Sequence, residues 1–483
     1  MCNKEGKVEH RIRSKGQITI VLALVLMVVV SLLLSMVEAA RSAALEVKLE
    51  CVAQTAIYSL FAQYHKELAN RYDLLFIDSS FQTNVPSFAA MEETLQFYTD
   101  QNCMAPKDQF FLNTRDWYGI ENTICAVEAV RLASDSESPA FYQQAVAYMK
   151  DLVTADYCED IQSWITVIEK ESIDPDELVK KNKKSLENAD GAYEGDGEWN
   201  ITEIYPEFDL HKMFGDKEMV WFTGVNKPLS SKKISTLNTY SFRHKNEGSS
   251  ELSPKGLTDP LQDIYFNEYI LLKLGSFTGV EEGGALDYQT EYVLQGKGSD
   301  AENLFEMCKD IFLLRAAANM IPLSQSEEAK MIVETISAFA VLIDLPPDVV
   351  KPLLYILWAG AEGLLDTQDL LNGGRVPLMK AYKDFSISLK GITTVGEGLY
   401  MRKVKTAITD GLCYEDYLRI FLTGVSRRTR ISRCADMIEA NIRLTEENEF
   451  FRLDACVDVV IVQISLETGF GHFYSLRRKY SYF

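Results

Sequence analysis

The residue types that do chemistry are few in this chain, and their spacing suits no familiar reaction. The histidines are His10, His65, His211, His244 and His472. None sits in an HExxH or HxH pattern or in a spaced Cys/His set, the arrangements that close a zinc tetrahedron. There is no GxSxG elbow to raise a serine and no Walker loop to cradle a phosphate, and Gly396-Glu397-Gly398 lacks the third glycine of a dinucleotide loop. Glu194, Asp196, Gly197 and Glu203 fall at positions 3, 5, 6 and 12 of a calcium loop, but Ala192 stands at position 1, where a carboxylate is required. The expectation is a protein with no metal and no cofactor that is not an enzyme.

Two charged clusters remain. Glu362, Asp366 and Asp369 are spaced four and three apart, so a helix would bring them to one side. That spacing suits a carboxylate site, but a plain polar helix face explains it more economically. Arg427, Arg428, Arg430 and Arg433 form a basic patch in an acidic chain. They either pair with carboxylates of the same protein or dock an acidic partner.

The elements that must position these groups begin with a membrane span. Ile18 to Val37 runs twenty residues without a charge, fourteen of them Leu, Ile or Val. Twenty helical residues rise about 30 Å, the thickness of a bilayer core, and insertion is favoured by about 6 kcal/mol. Ile18, Leu22, Leu26, Val30, Leu34 and Val37 mark this anchor, which takes membrane lipid as its partner. Lys4, Lys7, Arg11, Arg13 and Lys15 precede it against only two acids, so the N-terminus is expected in the cytoplasm and the bulk of the chain outside. The apolar run exceeds the core of a cleavable signal, although Glu38-Ala39-Ala40 offers a small-residue match to a cleavage site. The formal charge of −21 excludes nucleic acid as a partner, because phosphates would be repelled. Cys2 lies before the span and eight cysteines follow it, even in number but scattered, which leaves both isolated buried thiols and bridges open.

Six regions follow: a basic segment 1–15, the span 16–37, an amphipathic stalk helix 38–78, a mainly helical region 79–185, an acidic and polar loop region 186–255, and a C-terminal α+β region 256–483. Ala40, Ala44, Val47, Cys51, Tyr58, Ala62, His65, Leu68 and Tyr72 recur at helical spacing with no Gly or Pro between them, predicting one rod from Gly16 to about Tyr72. Of these, Ala40, Ala44, Val47 and Cys51 are the candidate helix–helix interface, because small residues near a membrane let backbones approach. Helices are predicted over 88–98, 121–132, 140–154, 300–320, 324–345, 352–371, 412–422 and 431–444. A strand is predicted over 286–295, a hairpin over 451–466 and 473–482, and either state over 264–274. The class is α+β with helices in the majority: a transmembrane helix continuing into a stalk, then a large extracytoplasmic head.

The stretch SKGQITIVLALVLMVVVSLLLSMVEAARSAAL is similar to the start of TadE- and TadG-like proteins of tight-adherence pilus systems. With LFAQYHKELANRYDLLFID, LDYQTEYVLQGKGSDAENL, LLYILWAGAEGLLDTQDLLNGG and GLCYEDYLRIFL, nearly the whole chain resembles a clostridial family known as domain of unknown function 5702. The resemblance implies association with pilus assembly or secretion. One departure stands out: the mature chain of a type IV pilin has Glu at its fifth residue, and counted from Gly16 that position is Val21. Cleavage at Gly16 is therefore not expected, and residues 1–15 should be retained. The expected role is a structural or assembly component of a surface pilus or secretion apparatus, with other proteins of that apparatus as partners. An envelope-tethered hydrolase and a receptor-like ectodomain are the alternatives.

Overall fold

The computed structural model describes residues 9–80, 85–103, 118–135, 139–192, 203, 208–210, 229–249, 252, 261–343, 345–389 and 411–482. Helices hold most of them. Helix α1 (Glu9–Phe61) is followed by α2 (Lys66–Tyr72), β1 (Ile77–Asp78), α3 (Phe88–Cys103) and β2 (Ile120–Leu132). Next come α4 (Ala140–Leu152), α5 (Ala155–Lys170), α6 (Pro175–Ala192), α7 (Gln262–Lys273), α8 (Gln289–Gln295), α9 (Asp300–Gln325) and α10 (Glu327–Ser337). The chain continues through α11 (Pro347–Leu371), α12 (Tyr414–Gly424), α13 (Arg427–Ile442), β3 (Cys456–Thr468) and β4 (Phe473–Ser481). The fold is α+β with helices in the majority, and α1 is long and apolar enough to cross a membrane.

The rod is shorter than its periodicity predicts. It ends at Phe61, and a new helix starts after His65, whose Nδ1 accepts from the Leu68 N–H at 3.2 Å. The His65 N–H donates to the Phe76 carbonyl, its Nε2 meets Asn448 Oδ1 at 2.9 Å, and its ring lies against Phe451. The bend is made by distant partners, so no Gly or Pro announces it.

All four strands are antiparallel, with β3 central. β2 lies along one edge of β3; β4 and then β1 share the other. The side chains of β3 alternate: Val460, Val462, Ile464 and Leu466 pack with Leu45, Leu49, Ala53, Ile57 and Leu60 of α1, while Val459 and Ile461 pack with Leu252 behind the sheet. Both faces are covered, so the strand reads as a nearly continuous apolar run.

Residues 121–132, expected as helix, are strand β2. Alanines and glutamates give the segment helical propensity, but a full ladder with β3 overrides it. The free edge of β2 is capped by side chains. The Cys125 N–H donates to Gln96 Oε1 at 3.0 Å, the Val127 N–H to Glu92 Oε1 at 2.9 Å, and the Val130 N–H to Ser249 Oγ at 3.1 Å. Such caps block strand addition from another chain.

Residues 286–295, expected as a strand, contain helix α8, closed by Gly296 in the left-handed region. Gln289 to Leu294 are all buried, so polar and apolar residues alternate in sequence without marking two faces. Asp300 holds the helix start by accepting from the N–H groups of Asp287 and Tyr288, each at 3.0 Å. The acidic region expected as loop from 186 is helical in α6 as far as Ala192. Most of its remainder, including the calcium-like positions Glu194, Asp196 and Gly197, lies outside the described residues, as does Gly396 to Gly398.

The larger core is helical, built around α9 and α11. Gly363 lets them meet: a Cβ there would stand 2.9 Å from the backbone nitrogen of Ala316.

Candidate functional site

The outer half of α1 has two apolar stripes, and only one is used internally. Leu45, Leu49, Val52, Ala53, Ala56, Ile57 and Leu60 are buried against the sheet and α3. This stripe lies on the side of α1 opposite the candidate helix–helix interface. Ala40, Val47, Cys51 and Tyr58 are exposed and Ala44 is half-buried, so the candidate interface residues lie mostly on the uncovered side of the helix. The anchor residues Ile18, Leu22, Leu26, Val30, Leu34 and Val37 are also exposed.

β4 runs beside the stalk in step with it. Going along α1, Glu38 meets His472 at 3.0 Å, Ser42 shares a 2.8 Å hydrogen bond with Tyr474, Glu50 pairs with Arg478, and the Phe61 carbonyl accepts from Tyr482 at 2.6 Å. Glu38 to Phe61 rises about 35 Å as helix and His472 to Tyr482 about 34 Å as strand, so the two run side by side with the β3–β4 turn at the end nearest the apolar stretch Ile18–Val37. The Arg41 guanidinium lies 3.5 Å from the centre of the Phe470 ring and donates to the Tyr118 carbonyl at 2.8 Å. This hairpin tip was not singled out from sequence. Its signal is Gly469-Phe-Gly-His-Phe473, two bulky apolar residues in a turn between alternating strands.

The carboxylate cluster on α11 is not a solvated face. Glu362 and Asp366 are buried and Asp369 is half-buried. Arg315 of α9, itself fully buried, donates to Asp366 Oδ2 at 3.0 and 3.1 Å and to the Pro377 and Leu378 carbonyls. Lys380 donates to Asp366 Oδ1 at 2.8 Å and also to Glu362, which accepts from the N–H groups of Ser386 and Ile387. Two cations face two carboxylates, and the result pins residues 377–387 onto α11. Burial pushes the Asp366 carboxyl up, but Arg315 and Lys380 outweigh it and hold it below the usual range.

The arginine patch is mostly turned inward. Arg427 forms a two-point pair with Asp263 at 2.8 Å, Arg430 is buried against Asn267 and Asp263, and Arg433 donates to the Val293 carbonyl at 2.9 Å. Arg428 is exposed.

A groove of about 540 Å³ opens between α4, α5, α7 and α12, lined by Met149, Leu152, Tyr157, Leu271 and Leu272 around Glu268 and Arg419. Arg419 donates to Glu268 at 2.9 Å and to Asp416 at 2.8 Å, and the exposed Glu415 also lines the groove. Among the described residues no three His, Cys, Asp or Glu side chains are grouped to hold a metal ion. Of the histidines described with their side chains, His65 caps α2, His472 faces Glu38, and His244 Nδ1 meets the Lys245 carbonyl. The eight cysteines from Cys51 to Cys456 are free thiols, and Cys51 is exposed.

The model of a family of unknown function (DUF5702) matches residues 209–468, more than half of the chain. No curated protein and no solved structure matches it. The matched residues take in α7 to α13 and β3 but leave out α1 to α6, β1, β2 and β4.

Proposed function

We propose, starting from the fact that this chain belongs to the family of unknown function DUF5702, that it is a membrane-anchored structural or assembly component of a surface pilus or secretion apparatus of the tight-adherence type. The reading is carried by α1, which passes without a break from the apolar stretch Ile18–Val37 into the packed core of the head while its opposite side stays uncovered. A helix tied rigidly to both a bilayer and a head transmits position between them. An uncovered face of Ala40, Val47, Cys51 and Tyr58 is available to another helix. The TadE-like start of the chain supports the same reading, and Val21 favours an accessory subunit over one cut and packed into a filament shaft.

The orientation puts the N-terminus in the cytoplasm and the acidic head outside. Protease added to intact cells stripped of their wall should digest the head and leave a short membrane-bound fragment; a head protected until lysis would reverse the topology. The assembly role makes a second prediction. Ala40→Trp combined with Val47→Trp should abolish co-purification of pilus or secretion proteins from gently solubilised membranes, while the thermal unfolding of the head stays unchanged. Undiminished recovery of those proteins with both changes present would refute the interface.

A further inference from the structure

We propose that the β3–β4 turn, Phe470 to Phe473, is a second membrane contact that enters the interfacial layer of the bilayer beside the exit of α1. It requires that Ile18 to Val37 cross the bilayer, the reading proposed above.

Three observations carry it. The first is depth. Glu38 is the first ionisable residue after the apolar run, so in a spanning helix it marks the border between hydrocarbon and headgroups. The 3.0 Å contact of His472 with Glu38 and the stacking of Phe470 on Arg41 place the turn at that same level. Because β4 climbs along α1 from there, the turn is the part of the hairpin that meets the bilayer and the rest of the strand recedes from it.

The second is exposure. Phe470 and Phe473 are 62% and 64% exposed, at the end of a hairpin whose β3 is mostly buried and whose β4 is half-buried or exposed. Phe470 is also held in place: Gly119 lies under its ring, and a Cβ there would come within 2.7 Å of it. One face of the ring is therefore positioned by the protein while the other remains open. Aromatic side chains beside an apolar span belong in the interfacial layer, where an apolar ring leaves water without losing polar partners.

The third is charge. The turn itself, Gly469 to Phe473, holds no acidic residue, and the Glu38 carboxylate beside it faces His472; Arg477 and Arg478 lie further along β4, paired with Glu128 and Glu50. An acidic head near an anionic membrane is repelled, and a turn with no carboxylate of its own adds nothing to that repulsion. The occupant is therefore lipid, at the depth of the acyl–headgroup boundary.

The test uses the full chain in vesicles of phosphatidylcholine and phosphatidylglycerol, with the photoreactive residue p-benzoylphenylalanine placed singly at Leu34, Phe470, Phe473 or Phe242. Position 34 reports the span, and Phe242 is an exposed phenylalanine whose neighbour Arg243 bonds Asp454, beyond the opposite end of β3. Irradiation should give lipid adducts at 34, 470 and 473, several-fold above those at 242. Adducts at 34 but not at 470 and 473 would overturn the second contact and leave the anchor intact. Equal yields at 242, or protein–protein adducts replacing lipid at 470 and 473, would also overturn it. Failure at 34 would overturn the span itself, and the turn contact with it.

Discussion

Asp366→Ala should cost the head about 3–5 kcal/mol of folding free energy, because it leaves Arg315 without its carboxylate in a site that water does not reach. Lys380 would keep only Glu362, and Asn319 would lose the acceptor it donates to at 2.9 Å. Arg315→Met combined with Asp366→Leu should recover part of the loss, since apolar groups of similar size need no compensation. Urea unfolding of the solubilised chain measures both, and Trp358 reports locally because its indole N–H donates to the Ile387 carbonyl on the pinned segment. A loss below about 1 kcal/mol would mean that the network contributes no more than a surface ion pair. The pH sign follows from the lowered Asp366 pKa: its contribution is full above the unfolded carboxylate pKa of about 4 and disappears as pH falls through the lower folded value.

Glu291→Gln should have the opposite sign, raising stability at and above neutral pH. Burial pushes the Glu291 carboxyl up to about 7, against hydrogen bonds from the Phe277 N–H and the Tyr414 hydroxyl, both 2.8 Å from Oε1. Its other oxygen has no donor. The folded state keeps its proton where the unfolded state has released it, so the native protein loses stability as pH rises from about 4.5 to 7. The difference amounts to about 3 kcal/mol at pH 8. Glutamine occupies the same space without ionising, so the variant should match the parent near pH 4.5 and exceed it by that amount at pH 8. Denaturation at the two pH values checks this. A variant less stable than the parent at pH 8 would show that Glu291 is held ionised.

The residues that made parts of this fold legible share one property: their signal is local. The apolar run of α1, the nearly continuous apolar run of β3 and the alternation of β4 can each be read within twenty residues, and all three elements appear in the structure. β2 and α8 were misread because their state is decided elsewhere. β2 is a strand because Val457 to Thr468 lies beside it, and α8 is a helix although both of its sides are buried. The break at His65 depends on Phe76, Asn448 and Phe451. The α11 carboxylates were legible as a cluster but not as a buried one, because their cations, Arg315 and Lys380, come from other segments. Helical periodicity pointed to the stripe through Val47, Cys51 and Tyr58, which faces outward, and did not single out Leu45, Leu49 and Leu60, which carry the packing on the sheet.

The central position of β3 has a consequence for biogenesis. Ribosomes deliver α1, β1 and β2 well before β3, so the stalk's leucines and the inner edges of β1 and β2 wait through all the intervening helices before their partner arrives. Until then the nascent protein presents an open sheet edge and an uncovered apolar helix side, the two features that recruit chaperones and promote misassembly. Any product ending before Cys456 lacks the strand that joins stalk to sheet, however well its helical core has formed. The surface between stalk and sheet therefore closes only once β3 has been made.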